Sequence, residues 1–433
     1  MLTAKFIREN KDAIIDTIKR QKKEKELLPI LEELLIKDEE WRKLKVQVDN
    51  LRSERNKLSE EVNKTKKAGG DIKPIIAKVK EIPEKIRVLE EKMDSLFEKE
   101  LRPRLRKIPN IMEAGVPYGK GEEDNVEVEK GGKIKEFKFP IKNHVELCES
   151  LKLADFEASA KTSGNGFYFL RGDLGLLNQA LLRFATEKMI KKSYTYVEPP
   201  LMIKKEILDA AMDTEGFEET IYKIEEKSDN NLCLIGTAEH AILGLHSGET
   251  FKADELPKKY AGYSMSFRQE IGSHGINEKG LWRTHQFNKL EQFIYCLPEQ
   301  TNKMYEELYQ NSKEILEELE LPYRVVEICT GDLAIWKAKS HDFEVYRPTT
   351  KSYGEVMSLS NCTIYQAADL DIKYLTRNGE RGVVHTLNNT ALATSRIMVA
   401  ILENYQEEDG SITVPKVLVP YMMGKKKIEK QKK

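Results

Sequence analysis

Between residues 267 and 291 the chain reads FRQEIGSHGINEKGLWRTHQFNKLE, and Arg268, Glu270, Arg283, Phe287 and Glu291 within it are the side-chain types that hold a nucleotide. Arginine presents a planar fork of donors that matches a phosphate or a carboxylate, and two arginines flanking one glycine-containing loop suit a triphosphate. The flanks alternate as strands do. By the two-residue period Arg268 and Glu270 share one face, and Phe287, Lys289, Glu291 and Phe293 share the face of a returning strand. At about 3.3 Å per residue, Phe287 and Glu291 lie about 13 Å apart. One strand can therefore stack a purine at one end and read an amino acid at the other.

Such a cradle needs a frame. Neither GxGxxG nor GxxxxGK[ST] occurs, which excludes the dinucleotide fingerprint and the P-loop. Helical stretches (144–152, 173–192) mix with strand-like runs at 232–235, 263–268, 287–296, 323–329, 343–347 and 383–388, without the regular rhythm of a doubly wound sheet. Residues 111–142, rich in Gly, Pro and acids, read as a crossing. The length of 433 residues predicts two or three domains. Cys148, Cys233, Cys296, Cys329 and Cys362 include no CxxC, and His144, His240, His246, His274, His285, His341 and His385 show no metal-ligand spacing, so neither zinc nor a disulfide framework is expected. His285 is placed to hold the loop. No run of 18 apolar residues occurs, and MLTAKFIREN lacks the apolar core of a signal peptide, which predicts a cytosolic chain. The closing KKKIEKQKK (425–433) reads as a solvated basic tail.

The net charge of −1 hides an asymmetry: residues 1–110 carry 29 Lys/Arg against 22 Asp/Glu, and the remainder 42 against 50. Only the first part resembles a polyanion binder. Positions 27, 30, 34, 37, 41, 44, 48, 51, 55, 58 and 62 follow heptad spacing, with Lys37 and Arg55 the polar exceptions. Ile75, Val79, Ile82, Ile86, Leu89, Met93 and Leu96 make a second stripe beyond KTKKAGGDIKP. Together they predict an antiparallel helical hairpin with Asp71 as N-cap, Pro74 in the first turn of the return helix and a kink at Pro83. Heptads alone read as dimerisation. The lysines crowding the distal end, Lys57, Lys64, Lys66, Lys67, Lys73, Lys78 and Lys80, point instead to phosphates far from the globular part.

The wording FRxE…GLxRxHQFxKxE resembles motif 2 of the class II aminoacyl-tRNA synthetases, and that of the seryl-tRNA synthetase family in particular. The resemblance runs through VPYGKGEEDNVEV (116–128), GTAE (236–239), EVMSLSNC (355–362) and LNNTALATSR (387–396). It implies an α+β fold: a class II antiparallel sheet flanked by helices, preceded by a two-helix antiparallel coiled-coil arm. The implied divisions are a tRNA-binding domain (1–110, hairpin helices about 27–65 and 74–100), the crossing (111–142), the catalytic domain (143–424) and the tail (425–433). The implied activity is ATP-dependent conversion of L-serine to seryl-adenylate and transfer to tRNA(Ser), with tRNA(Sec) as a further acceptor.

Site roles follow from the same resemblance. Arg268 and Arg396 are catalytic. Arg268, Glu270, Arg283, Thr284, Phe287, Glu355, Ser358 and Arg396 bind ATP, with Glu355 and Ser358 also holding Mg²⁺. Thr237 and Glu239 meet the serine amino group, Glu291 and Thr390 its hydroxyl, and Arg268 its reacting end. Taken alone, GTAE reads as helix capping and Arg396 as half of a structural ion pair. Lys57, Lys64, Lys66, Lys67, Lys73 and Lys78 contact tRNA. Residues 173–200, a helix then YTYVEPP, resemble motif 1 and imply a homodimer. In a regular strand Glu355 and Ser358 face opposite ways, so sharing a cation requires a bulge, a water or a backbone contact. The chain departs from the family wording at Met357, at Ala391 and Ala393 where the class has glycines, and at Ala368 and Asp369 where an arginine pair is usual; the last removes positive charge. Rival readings are another class II synthetase, whose C-terminal anticodon-binding domain 37 residues after Arg396 cannot supply, an amino acid:carrier-protein ligase, and a noncatalytic RNA-binding relative.

Overall fold

The computed structural model describes residues 1–214, 216–225, 231–270 and 279–430, which divide into two units, Met1–Pro109 and Asn110–Lys433. In the first, α1 (Ala4–Glu9) and α2 (Lys11–Arg20) precede the long α3 (Glu24–Lys67), which α4 (Lys73–Leu96) pairs before a π-turn at Phe97–Leu101 and α5 (Arg102–Lys107). With 44 residues, α3 spans about 66 Å. Val48, Ile82 and Ile86 form the buried seam of the hairpin, extended by Leu51, Leu58, Leu89 and Met93. Each fully buried side chain of this kind contributes about 1.5–3 kcal/mol.

Nearer the base the heptad gives way. Leu27, Leu31, Leu34 and Asp38 are buried there, in place of Ile30 and Lys37, because α1, α2 and α5 pack against α3 and draw in a different face. Asp38 is tolerated inside because Arg8 and Arg42 both bond its carboxylate, Arg42 at 2.9 Å. Asp71 is not the N-cap. Ile72 holds that position, and Asp71 accepts from the Lys73 N–H at 2.9 Å from one residue further out. The helix continues through Pro83.

The second unit is built on an eight-stranded sheet. In chain order its strands are β1 (Val126–Gly131), β2 (Thr195–Val197), β3 (Lys258–Phe267), β4 (Gln286–Cys296), β5 (Tyr323–Glu327), β6 (Lys339–Arg347), β7 (Ser352–Thr363) and β8 (His385–Ala393). The spatial order is β1-β5-β6-β7-β8-β4-β3-β2, antiparallel throughout except between β2 and β3. Five helices matter for the site: α6 (His144–Leu151), α7 (Gly172–Lys191), α8 (Ala238–Leu245), α9 (Thr301–Glu318) and α10 (Thr394–Asn404). Leu290 and Ile294 of β4, with Leu387 of β8, pack against α7, α9 and α10 in the main core. Phe293 and Tyr295, on the alternate face, join Ile242 and Leu243 of α8 in a second core. The strand is thus covered on both sides near its end, while the other end of the Phe293 face remains for ligands.

Several expectations are corrected. The crossing at 111–142 contains β1, which pairs with β5 and forms one edge of the main sheet; its acidic alternation, VEVEKG, hid a strand. The basic tail keeps its charged side chains exposed over its described part, but it is anchored to the second unit. Lys427–Ile428 pairs with Ile412–Thr413, Ile428 is fully buried, and Lys425 Nζ lies 2.5 Å from Asp173 Oδ1; residues 431–433 lie outside the described residues. Arg268 and Glu270 do not share a strand face, because β3 ends at Phe267 and Glu270 adopts a φ of +53°. Among the described residues no helix is long and apolar enough to cross a membrane.

Candidate active site

Two adjoining cavities open on the ligand face of β4, of about 480 and 90 Å³, and Arg268, Glu270, Lys289, Glu355 and Ser358 line both. Thr237, Glu239 and Glu291 line the larger one. Arg283, Thr284, Phe287, Thr390 and Arg396 line the smaller. The fold therefore brings every candidate active-site residue of the sequence to one place. Gly272, His274 and Gly275, between the two arms of the motif, lie outside the described residues.

At the first end, the larger cavity is acidic. Thr237 caps α8 by accepting from the Glu239 N–H at 3.4 Å, which turns Glu239 inward from the first turn of the helix. Gln366 (2.7 Å) and Asn388 (3.0 Å) both donate to Glu239 Oε1. Burial, and then the charge of Glu291, push the Glu239 carboxyl up to about 7. Glu291 is 1 % exposed. Lys289, two residues earlier on the same face, places Nζ 2.5 Å from Glu291 Oε2 and donates to Thr237 Oγ1 at 3.2 Å. Thr390 stands directly opposite Glu291 in the register of β8 and β4. His240 is kept neutral, with burial, Arg268 and Lys289 lowering it to about 3.

The second end is cationic and aromatic. Arg268 lies over the Phe287 ring at 5.4 Å and donates from Nε to the Gly236 carbonyl at 3.4 Å. Its backbone is fixed by His285: the Arg268 N–H donates to the His285 carbonyl at 3.0 Å, and His285 Nδ1 lies 2.9 Å from the Arg268 carbonyl. Arg283 is 3.6 Å from Glu270. Arg396, in the first turn of α10, donates from Nη1 to the Glu355 carbonyl (2.7 Å) and to Glu355 Oε2 (3.1 Å), and lies over Trp282 at 5.5 Å. The buried Thr284 hydroxyl finds no partner among the described residues, which leaves it for a ligand.

Between the ends, β7 solves the facing problem by its pairing. Phe343 opposes Met357 and Glu344 opposes Glu355, so Val356 is the extra residue of a bulge and the alternation between Glu355 and Ser358 is broken. Both then line the two cavities. Burial opposes the charge on Glu355, but Arg396 and Arg268 outweigh it and hold the carboxyl below its usual range. Met357 is buried in the main core.

Two family models match the chain: the seryl-tRNA synthetase N-terminal domain over residues 1–112, and the class II tRNA synthetase core domain (G, H, P, S and T) over 222–405. The serine–tRNA ligase of Methanospirillum hungatei is 45 % identical over 427 residues, 98 % of this chain and 99 % of that protein. The chain belongs to the seryl-tRNA synthetase family. The family fold is equally plain. Pyrococcus horikoshii seryl-tRNA synthetase, solved with ATP, matches with a TM-score of 0.86 at 40 % identity over the whole of both chains. The cytoplasmic serine–tRNA ligase of Naegleria fowleri, solved with AMP, matches at 0.82 and 30 % identity over 98 % and 97 % of the two chains.

Sequence reasoning within the family motifs missed Lys289, His240, Gln366 and Asn388. Lys289 had a legible signal: a cation on the named face, two residues from both Phe287 and Glu291. Asn388 lies within LNNTALATSR, but its partner Glu239 is 149 residues away in the chain.

Proposed function

We propose that the chain activates L-serine with ATP and transfers the seryl group to tRNA(Ser). One observation carries the reading: an acidic cavity suited to an ammonium and a hydroxyl meets a cationic, aromatic cavity suited to a nucleoside triphosphate, and Arg268 belongs to both. Glu239, when ionised, accepts from the serine ammonium alongside Thr237, and Glu291, held by Lys289, accepts from the hydroxyl with Thr390 beside it. Phe287 stacks the adenine. Arg283 and Arg396 hold the outer phosphates, with Glu270 and Thr284 completing the nucleotide site. A serine carboxylate oxygen attacks the α-phosphorus, the bond to the bridging oxygen breaks, and pyrophosphate departs. Arg268 neutralises the charge that develops. In the second step a ribose hydroxyl of the terminal adenosine attacks the acyl carbon, its proton passes to the departing phosphate, and AMP leaves with the former carboxylate oxygen. Placement does most of this work, and no protein nucleophile is required.

Glu355 and Ser358, hard oxygens brought to one side by the bulge at Val356, fit Mg²⁺. The cation, when bound, supplies charge neutralisation at the phosphates. The hairpin tip supports tRNA binding: Lys57, Lys64, Lys66, Lys67, Lys73 and Lys78 are exposed, and none forms an ion pair among the described residues, whereas Arg52 and Arg87 nearer the base are paired with Glu90 and with Glu84 and Glu91. Such a tip meets duplex RNA by backbone and shape, which suits the variable arm of tRNA(Ser) and, equally, tRNA(Sec). Homodimer formation through residues 173–200 is supported by exposed Ile190, Tyr196, Leu201 and Met202 around its end. The working compartment is the cytoplasm. Pyrophosphate exchange with a panel of amino acids at saturating ATP and Mg²⁺ tests the assignment. Serine should support it; exchange with threonine or glycine but not serine overturns it.

A further inference from the structure

The larger cavity, about 480 Å³, falls in the range that takes drug-sized ligands, far more than a three-carbon amino acid fills. Away from Glu239 and Glu291 its wall becomes aromatic. Phe217 and Trp336 meet edge to face there, with centroids 6.0 Å apart and an interplanar angle of 78°. Phe217 is 43 % exposed, too open to serve the core. Its backbone is nonetheless tied to the reacting centre. Thr220 Oγ1 donates to the Phe217 carbonyl at 2.8 Å, and Gln269, the residue after Arg268, donates from its backbone to Thr220 (2.9 Å) and from its side chain to the Ile221 carbonyl (2.7 Å). Trp336 is anchored likewise: Asn110 donates to its carbonyl at 3.0 Å, and the next residue, Lys337, donates to Ser358 Oγ at 3.3 Å.

An aromatic pair fixed beside the reacting centre, Phe217 exposed and Trp336 half-buried, is a stacking platform. Of the other rings at the site, Trp282 lies under Arg396, and Phe287, in the smaller cavity with Arg283 and Arg396, takes the base of the nucleotide. That nucleotide stays bound until the acyl group has moved, so one ring cannot serve both substrates of the second step. We infer that the Phe217–Trp336 wall receives a second nucleobase, the 3′-terminal adenosine of the acceptor strand, and so brings its ribose hydroxyl to the acyl carbon. This rests on the reading of the chain as a serine–tRNA ligase.

The test separates the two half-reactions. Phe217→Ala and Trp336→Ala should leave serine-dependent pyrophosphate exchange within about two-fold of wild type, which also reports an intact fold. Single-turnover transfer from preformed enzyme-bound seryl-adenylate to tRNA should fall by about ten- to a hundred-fold, the loss of one base–aromatic stack. Phe217→Tyr and Trp336→Phe should restore it. Removing the terminal adenosine should weaken tRNA binding to wild type but not to the Phe217→Ala/Trp336→Ala double variant. An unchanged transfer rate, or a parallel fall in exchange, overturns the proposal and makes the wall a cover for serine. Absence of serine-dependent exchange in the wild-type enzyme would instead sink the reading on which it rests.

Discussion

Lys289→Met removes the one cation that, among the described residues, touches Glu291 inside the cavity, while keeping an unbranched chain of similar length. The ammonium lies 2.5 Å from Glu291 Oε2, and the two residues are 8 % and 1 % exposed. Removing one partner of a buried pair costs about 3–5 kcal/mol, because an uncompensated carboxylate is left behind. Without its partner Glu291 is no longer held in place, and so ceases to be a well-positioned acceptor for the serine hydroxyl. A hydrogen bond to a charged group contributes about 1.5–3 kcal/mol, so kcat/KM for serine in pyrophosphate exchange should fall by about 10- to 150-fold at about 1.4 kcal/mol per decade. Alanine loses nothing it had. A site built around a hydroxyl rejects the analogue lacking it by about 10⁴- to 10⁵-fold, an apolar pocket by only about 10- to 200-fold. Lys289→Met should move the serine-to-alanine ratio from the first range towards the second. Threonine, which is refused for its methyl group, should change little. Adding Glu291→Gln should recover most of the lost Tm without recovering activity, because removing both charges is far cheaper than removing one. An unchanged serine-to-alanine ratio in Lys289→Met, or a double variant no more stable than the single one, would refute the reasoning.

Glu239, raised to about 7 by burial and by Glu291, should make kcat/KM for serine fall as the pH drops below about 7, and Glu239→Gln should flatten that limb at a low level. Because the folded value lies above the unfolded one, this carboxyl costs stability progressively as pH rises from about 4 to about 7; Glu239→Gln should therefore gain Tm over wild type across that window, and a pH-independent difference would rule the assignment out. Arg268→Ala and Arg396→Ala should each lower adenylation by about 10²-fold or more with tRNA affinity nearly intact, Arg268→Ala the more severely; near wild-type exchange in either variant takes that residue out of the chemistry. Replacing Lys66, Lys67 and Lys73 by alanine should spare exchange and reduce the slope of log K for tRNA against log salt by up to about 2–3, close to one unit for each phosphate that is no longer neutralised. An unaltered slope in a filter-binding titration would return the hairpin to a dimerisation role.

Local period decided what could be read in the chain. On β4 the alternation is strict, so Phe287, Lys289 and Glu291 could be placed on one face, and all three line the site. The same rule failed at Arg268 and Glu270, because the chain leaves its ladder after Phe267 and Glu270 turns into positive φ. In the hairpin the heptad describes the distal seam, where two helices alone meet, and fails at Asp38, where α1 supplies Arg8 to a third packing face. Periodicity reports one partner surface at a time.

What stayed illegible is the set of contacts that gives known residues their charge state. Neither the interval between Glu355 and Ser358 nor the letters within it reveal the bulge; it exists because β6 offers one fewer residue opposite that segment, and without it the two oxygens would face apart. Glu239 makes the same point from the other direction. As a motif residue it reads as a simple carboxylate, yet its charge is set first by burial and then by Glu291 on β4, while Gln366 and Asn388 donate to a single oxygen. Gln366 belongs to the short helix Tyr365–Asp369, the segment in which Ala368 and Asp369 stand where the family has arginines. The departure there removes charge, but the helix still bonds the Glu239 carboxylate, which lines the larger cavity, through Gln366, itself fixed by Thr386 and by the Ala211 carbonyl.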